Sequence, residues 1–211
     1  MVNILFSQID LIGDLDLTLY KSLLPDHIKK EVNRFRFIND QKLSLLGKLM
    51  LKYAINSSGT GDLNSFKRAA NNKPYILGWK NFNISHSKDT VVFCTSSADI
   101  GIDIEAIDSL FAVDLCNFYT RNEKKIINDT NKKEQKMIEI WVRKEAFAKA
   151  SGADLGNILD SVDCTPSSIL YNDEQWKFVE FQVSNDFVSF FCTSGSCLEF
   201  NIQTFNPRCL L

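Results

Sequence analysis

The sequence alternates between helical and β-type segments in an order that occurs twice. One helical pattern ends at Gly59 and a second ends at Gly152, and runs rich in β-branched and aromatic residues follow each of them. The pentapeptide "FCTSS" at 93–97 returns as "FCTSG" at 191–195, each time at the end of a β-rich run. This repetition predicts an α+β fold built as a pseudo-dimer of two similar α/β subdomains.

The two subdomains are expected to meet near the middle of the chain. We predict an N-terminal subdomain at residues 1–98 and a C-terminal subdomain at 99–211. The run "TVVFCTSSADIGIDIEAI" at 90–107 crosses this boundary and predicts two strands joined by a turn at 96–99, a β-hairpin. Because clefts between subdomains are common ligand sites, we expect the active site at the interface.

Composition and charge argue against several classes of function. A chain of 211 residues with 45% hydrophobic residues can bury a sizeable core, and its net charge of −2 gives no basic patch for nucleic acid. The beginning lacks the basic region of a secretory signal, and no apolar run approaches the roughly 20 residues of a membrane span. Six scattered cysteines without a C-x-x-C pair are typical of buried thiols in a reducing compartment. We therefore expect a cytoplasmic protein that binds neither nucleic acid nor membranes.

The segment "GIDIEAI" at 101–107 poses an electrostatic problem. On a β-strand, Asp103 and Glu105 point to the same side, because side chains alternate between the two faces. Their Cα atoms then lie roughly 6.6 Å apart, and their repulsion is about 2.5 kcal/mol at an effective dielectric constant of 20. A hard divalent cation bound by both carboxylates would remove this repulsion.

The segment "WVRKEAFAKASG" offers a third carboxylate. On a helix, Trp141, Glu145 and Lys149 follow one another at intervals of four residues and share a face. One interpretation is a surface Glu–Lys pair that contributes about 0.3–0.5 kcal/mol. If Glu145 instead faces Asp103 and Glu105, the three carboxylates would bind Mg²⁺, and Lys149 would neutralise charge on a phosphate substrate.

Two further segments contain groups that bind phosphate. In "NISHS", Ser85 and His86 lie where a strand ends, and hydroxyl and imidazolium groups donate hydrogen bonds to phosphate. In "NNKPY", Lys73 precedes Pro74, which favours an extended or turn geometry for the lysine. A structural histidine and a solvated loop lysine are the alternative interpretations.

These segments, taken in order, resemble the surfactin-type 4′-phosphopantetheinyl transferases. "NKPY", "NISHS", "GIDIE" and "WVRKEAFAKASG" follow one another as in that family, and the resemblance covers nearly the whole chain. It implies a holo-[carrier-protein] synthase, which transfers the 4′-phosphopantetheine group of coenzyme A to a serine of an acyl or peptidyl carrier protein and releases 3′,5′-ADP. It also implies the pseudo-dimeric fold with its active site between the halves.

The resemblance implies catalytic and metal-binding roles. Asp103, Glu105 and Glu145 would hold Mg²⁺ on the pyrophosphate of coenzyme A. Glu145 would also act as, or position, the base that deprotonates the carrier serine. Lys149 would stabilise the pyrophosphate and assist the leaving group, so that Asp103, Glu145 and Lys149 form the catalytic set.

The resemblance also implies a nucleotide site and a carrier contact. Ser85 and His86 would contact the phosphates of coenzyme A, with His86 at the 3′-phosphate. Lys73 and Pro74 would line the nucleotide pocket. The segment "NFYTRNE" at 117–123 is similar to the family's stretch near the carrier protein.

One position departs from the family pattern and leaves alternatives open. Leu43 stands where the family commonly carries a phosphate-binding arginine, and Lys42, or Lys29 with Lys30, could replace it. Leu43 keeps an inactive carrier-protein interaction module as an alternative, and a Mg²⁺-dependent phosphohydrolase that uses the same carboxylates is another. The sequence does not distinguish polyketide, nonribosomal peptide, siderophore and fatty-acid carriers. Since a pseudo-dimer contains its own active site, we expect a monomer.

Overall fold

The chain divides into two units. The computed structural model describes residues 1–13, 16–107, 118–196 and 198–211. Unit 1 comprises Met1–Ser96 and Glu199–Leu211, and unit 2 comprises Ser97–Leu198. Each unit has a four-stranded sheet with a long helix packed against it, which confirms the α+β class and fits the predicted pseudo-dimer.

Unit 1 contains a mixed sheet with the strand order β10-β1-β5-β4. The strands of this sheet are β1 (Val2–Gln8), β4 (Asn81–Ser87), β5 (Thr90–Ser96) and β10 (Phe200–Thr204). A separate short pair is formed by β2 (Phe66–Arg68) and β3 (Pro74–Ile76). The helices are α1 (Leu17–Ser22), α2 (Asp26–Asn33) and α3 (Ile38–Ser58). Helix α3 buries leucines such as Leu46 and Leu49 in one core with Phe93 of β5.

The helical pattern predicted up to Gly59 is divided into two helices. Residues 34–37 separate α2 from α3, and the side chain of Gln41 donates a 2.8 Å hydrogen bond to the carbonyl of Phe35 within this break. The predicted end is confirmed, because Gly59 caps α3 with a left-handed φ of 64°.

Unit 2 contains an antiparallel sheet with the strand order β6-β9-β8-β7. Its strands are β6 (Ile100–Ala106), β7 (Ser168–Tyr171), β8 (Glu174–Glu180) and β9 (Phe187–Thr193), and its helices are α4 (Arg121–Asn128), α5 (Lys133–Ser151) and α6 (Leu155–Ile158). The predicted helix end at Gly152 is confirmed by its φ of 72°. Residues 108–117 lie outside the described residues. Within the described part of the chain, no helix is long and apolar enough to span a membrane.

The β-hairpin predicted across the junction is wrong. Strand β5 pairs with β1 and β4, whereas β6 pairs with β9. The turn at 96–99 therefore connects two different sheets, which a local turn signal does not reveal. The structure also differs from the predicted C-terminal subdomain 99–211, because β10 pairs in parallel with β1, with Val2 opposite Phe200. Parallel pairing joins distant segments and leaves no local sequence signal.

The repeated pentapeptide lies at the end of a strand in each four-stranded sheet. "FCTSS" ends β5 and "FCTSG" ends β9, and each is an inner strand of its sheet. Burial is confirmed for Cys94, Cys164 and Cys192, whereas Cys209 is exposed. Cys116 and Cys197 lie outside the described residues. The expected active site between the units stays a prediction.

Strand β6 touches the backbone of helix α5 at Gly101. A Cβ atom at this position would lie 2.2 Å from the carbonyl oxygen of Ala146 and 2.4 Å from the nitrogen of Ala150. These atoms belong to the helix backbone, so rotation of a side chain cannot relieve the overlap. Only glycine permits this approach, and the approach sets how closely α5 lies over β6.

We expect Gly101→Ala to destabilise the protein by about 3 kcal/mol or more, because the methyl group overlaps a helix backbone. Gly59→Ala is the control: its Cβ has open space, and only its φ of 64° is unfavourable. This control should cost about 1 kcal/mol. Urea unfolding followed by circular dichroism measures both values. If the two variants lost the same free energy of unfolding, α5 would move away from β6 at little cost.

Candidate active site

Two carboxylates of unit 2 converge on one ammonium group. The Nζ atom of Lys149 lies 2.6 Å from Oδ1 of Asp103 and 3.5 Å from Oε2 of Glu145. We call these three residues the carboxylate–lysine cluster. Asp103 comes from β6 and is only 2% exposed, while Glu145 and Lys149 lie one turn apart on α5. The pair predicted from the helix spacing is thus part of a cluster beside the core, not an isolated surface pair.

The cluster shifts the proton affinities of its members. Burial raises the pKa of Glu145, the charge of Asp103 raises it further, and Lys149 only partly opposes them. Burial would lower the pKa of Lys149, but the charges of Asp103 and Glu145 outweigh it and hold that pKa above its usual value. Lys149 therefore stays charged at neutral pH, and Glu145 accepts a proton more readily than an ordinary glutamate.

The third predicted metal ligand lies on the same face of β6. Glu105 follows Asp103 by two residues on the strand, opposite Val188 of β9, and is partly exposed. Among the residues described, no three acidic, histidine or cysteine side chains gather closely enough to hold a metal ion. The structure thus brings Asp103 and Glu145 to one cation, Lys149, and does not gather Glu105 with them.

Unit 1 contains a separate cavity of about 420 Å³. Pro74 and His86, two of the predicted nucleotide-binding residues, line it. Ser85 is buried on the opposite face of β4 from His86, since neighbouring residues of a strand point to opposite faces. Lys73 immediately precedes β3 and is partly exposed.

Leu43, the departure from the family pattern, also lines this cavity. Lys29, Lys30 and Lys42 were considered as its substitutes, but none of them is among the described residues that line the cavity. Instead the basic side chains on its wall come from Arg34, Lys48 and Arg68.

Sequence reasoning did not find the ion-pair group that organises these basic side chains. Glu31 of α2 accepts hydrogen bonds of 2.9 and 2.8 Å from Nε and Nη2 of Arg68. The Nζ atom of Lys48 lies 3.4 Å from Oε2 of the same carboxylate. We call Glu31, Lys48 and Arg68 the Glu31 clasp. The one available signal was Lys48 itself, a lysine inside the apolar pattern of α3.

Comparisons with known proteins agree with the sequence motifs and this geometry. The family model described as 4′-phosphopantetheinyl transferase, N-terminal, matches residues 14–98. The model of the 4′-phosphopantetheinyl transferase superfamily matches residues 99–192.

The chain belongs to the 4′-phosphopantetheinyl transferase superfamily. It is 30% identical over 134 residues to the 4′-phosphopantetheinyl transferase psf-1 of Bacillus pumilus, covering 61% of this chain and 58% of that protein. It is also 30% identical over 159 residues to the transferase gsp of Aneurinibacillus migulanus, covering 72% of this chain and 66% of that protein. Over 148 residues it is 29% identical to Sfp of Bacillus subtilis, covering 67% of this chain and 66% of that protein. The chain thus spans between half and two thirds of the length of these relatives.

The superfamily segment at 117–123 is only partly described. Its Asn117 lies outside the described residues. Glu123 is fully buried and forms a 2.9 Å ion pair with the equally buried Lys144, next to Glu145 on α5. It also closes a capping box with Thr120 at the start of α4. Glu123 therefore anchors α4 to α5 and does not lie on a surface that a partner protein could touch.

The Glu31 clasp should make stability depend on acid pH. Burial would raise the pKa of Glu31, but Arg68 and Lys48 outweigh it and hold this pKa below its usual value. A lowered carboxyl pKa contributes stability above the unfolded value, and this is lost as the pH falls through the folded value. We expect Glu31→Gln to lower the free energy of unfolding at pH 7 by about 1 kcal/mol. The difference should disappear below the folded pKa in a urea titration series, and a constant difference at all pH values would contradict this.

Proposed function

We propose that this chain transfers the 4′-phosphopantetheine group of coenzyme A to a serine of an acyl or peptidyl carrier protein and releases 3′,5′-ADP. The observation that carries the proposal is the carboxylate–lysine cluster on the superfamily-matched unit 2. The relatives named above are all called 4′-phosphopantetheinyl transferases, which supports the same activity.

The reaction exchanges one phosphorus–oxygen bond for another. The serine oxygen forms a bond to the phosphorus that carries pantetheine, and the bond from this phosphorus to the bridging oxygen breaks. The serine proton passes to a base, and 3′,5′-ADP leaves with the bridging oxygen. In such displacements the protein acts mainly by positioning and by stabilising charge.

The cluster supplies a base and a fixed positive charge. Glu145 is assigned as the base, or as the group that positions it, because its carboxylate lies beside the charged ammonium group of Lys149, 3.5 Å away. Lys149 has a raised pKa and is a poor proton donor, so its role is to hold a charge beside the leaving phosphate. Asp103 keeps the ammonium group in place through the 2.6 Å contact.

The chemistry of the three predicted ligands suits Mg²⁺. Two carboxylates from different elements already converge on a cation, Glu105 lies two residues along the same strand, and carboxylate oxygens are the ligands that Mg²⁺ prefers. We assign Asp103, Glu105 and Glu145 as its ligands. When bound, Mg²⁺ would neutralise charge on the pyrophosphate of coenzyme A.

The cavity of unit 1 is assigned to the nucleotide part of coenzyme A. Its volume lies in the range of small-molecule sites, and it combines the apolar Phe35 and Pro74 with basic side chains and His86. Lys73 and Ser85 are kept as further coenzyme A contacts. We also propose that the protein acts in the cytoplasm as a monomer, on carriers such as those of polyketide or nonribosomal peptide synthesis.

Intact-mass spectrometry of an apo carrier protein tests this function. Incubation with this chain, coenzyme A and Mg²⁺ should raise the carrier mass by one phosphopantetheinyl group, and EDTA should prevent the increase. Asp103→Asn and Glu145→Gln should each lower turnover by at least about 100-fold, since each removes charge from the cluster.

The matched control is Glu134→Gln, which changes an exposed glutamate in the first turn of the same helix. Its turnover should equal that of the unchanged protein. Failure to modify carriers from several pathways would contradict the proposed function. An equal loss of turnover in Glu134→Gln would show that the loss does not depend on the carboxylate–lysine cluster.

A further inference from the structure

The cavity of unit 1 has a strong charge imbalance. Arg34, Lys48 and Arg68 line it, and among the described lining residues Glu31 is the single acidic side chain. Its cationic groups therefore exceed its anionic groups by two even with a neutral His86. Such a cavity favours a ligand that carries about two negative charges.

The positive charges are fixed in place before any ligand binds. Lys48 is only 6% exposed, and its Nζ lies 5.1 Å from the centre of the Phe66 ring. The guanidinium carbon of Arg68 lies 5.8 Å from the same ring, and Nη1 of Arg68 donates a 2.9 Å hydrogen bond to the carbonyl of Asn72. Glu31 forms ion pairs with both cations. A ligand would thus meet an ordered pair of cations and would not need to order them.

Glu31 compensates only part of this charge. One carboxylate is shared between the ammonium group of Lys48 and the guanidinium group of Arg68. The clasp as a whole therefore keeps one positive charge, and its Lys48 member is buried while Arg68 is exposed. Arginine has five N–H donors, and Glu31 and Asn72 engage three of those on Arg68 among the described residues. The remaining donors suit a phosphate group.

We propose that the Glu31 clasp recognises the 3′-phosphate monoester of coenzyme A. A phosphate monoester carries about −1.5 to −2 charges at pH 7, which matches the excess charge of the cavity. Lys48 and Arg68 are then the residues that select coenzyme A over the donor that lacks only this phosphate. Lys48 does so from a position on α3 that the family motif does not mark. This inference rests on the proposed function and names specificity-determining residues for it.

The binding test compares two ligands that differ in one phosphate. Isothermal titration calorimetry should show that adenosine 3′,5′-diphosphate binds more tightly than adenosine 5′-monophosphate. Lys48→Met should weaken binding of the diphosphate about 10- to 100-fold and leave the monophosphate unchanged, since a hydrogen bond to a charged group has this worth. Lys48→Arg should keep most of the preference. Lys52→Met, one turn further along α3 and outside the cavity lining, should behave like the unchanged protein.

A kinetic test uses the transfer reaction itself. With saturating carrier protein, Lys48→Met should raise the KM for coenzyme A by the same factor, with the KM for 3′-dephospho-coenzyme A and both kcat values unchanged. Thermal unfolding shows whether the variant is folded. If it is not, Arg68→Gln, at a more exposed member of the clasp, answers the same question.

The outcomes separate this inference from the proposed function. If Lys48→Met weakened the binding of both nucleotides to the same extent, Lys48 would only maintain the cavity. If it weakened the binding of neither, the phosphate would bind elsewhere. Either result overturns the inference while transfer to the carrier still supports the function. Selective binding of the diphosphate without any transfer would support the clasp and overturn the function.

Discussion

The contact between Gly101 of β6 and the backbone of α5 is the constraint on which the candidate site depends. It removes the space that a side chain would occupy and holds helix and strand at backbone distance. Asp103, two residues along the strand, can then reach Lys149 at 2.6 Å. The Glu123–Lys144 pair holds the other side of the same helix. The cluster is therefore positioned by backbone packing and by a buried ion pair, and not by its own charges alone.

In each unit, one charged side chain lies between two side chains of the opposite charge. In unit 2, one cation, Lys149, lies between the carboxylates of Asp103 and Glu145, so an excess of negative charge is fixed beside the core. In unit 1, one carboxylate, Glu31, lies between two cations, so the excess is positive. Each unit keeps like charges close at a cost in folding energy that a single opposite charge only partly offsets. One excess suits a divalent cation and the other a phosphate dianion, which are the two charged components of the proposed reaction.

The sequence predicted most of what depends on local patterns. The α+β class, the helix ends at Gly59 and Gly152, the shared face of Asp103 and Glu105, and the Glu145–Lys149 pair all follow from periodicity and glycine. What it missed depends on distant pairing. The parallel contact of β10 with β1 joins the two ends of the chain, and the β5–β6 turn connects two sheets where local signals predict a hairpin. Neighbouring residues predict neither feature, because the packing of a whole unit determines which strands pair.

The Glu31 clasp could not be predicted from the sequence for the same reason. Its members lie at positions 31, 48 and 68, on two helices and a short strand, and only the fold brings them together. Leu43 and Lys48 are five residues apart on α3, about 7.5 Å along the axis, yet both line one cavity. A basic side chain can therefore line the same cavity from a different turn of the helix. A missing basic residue in a motif is therefore weak grounds for inferring lost function, because the ligand selects where a charge lies and not which position supplies it.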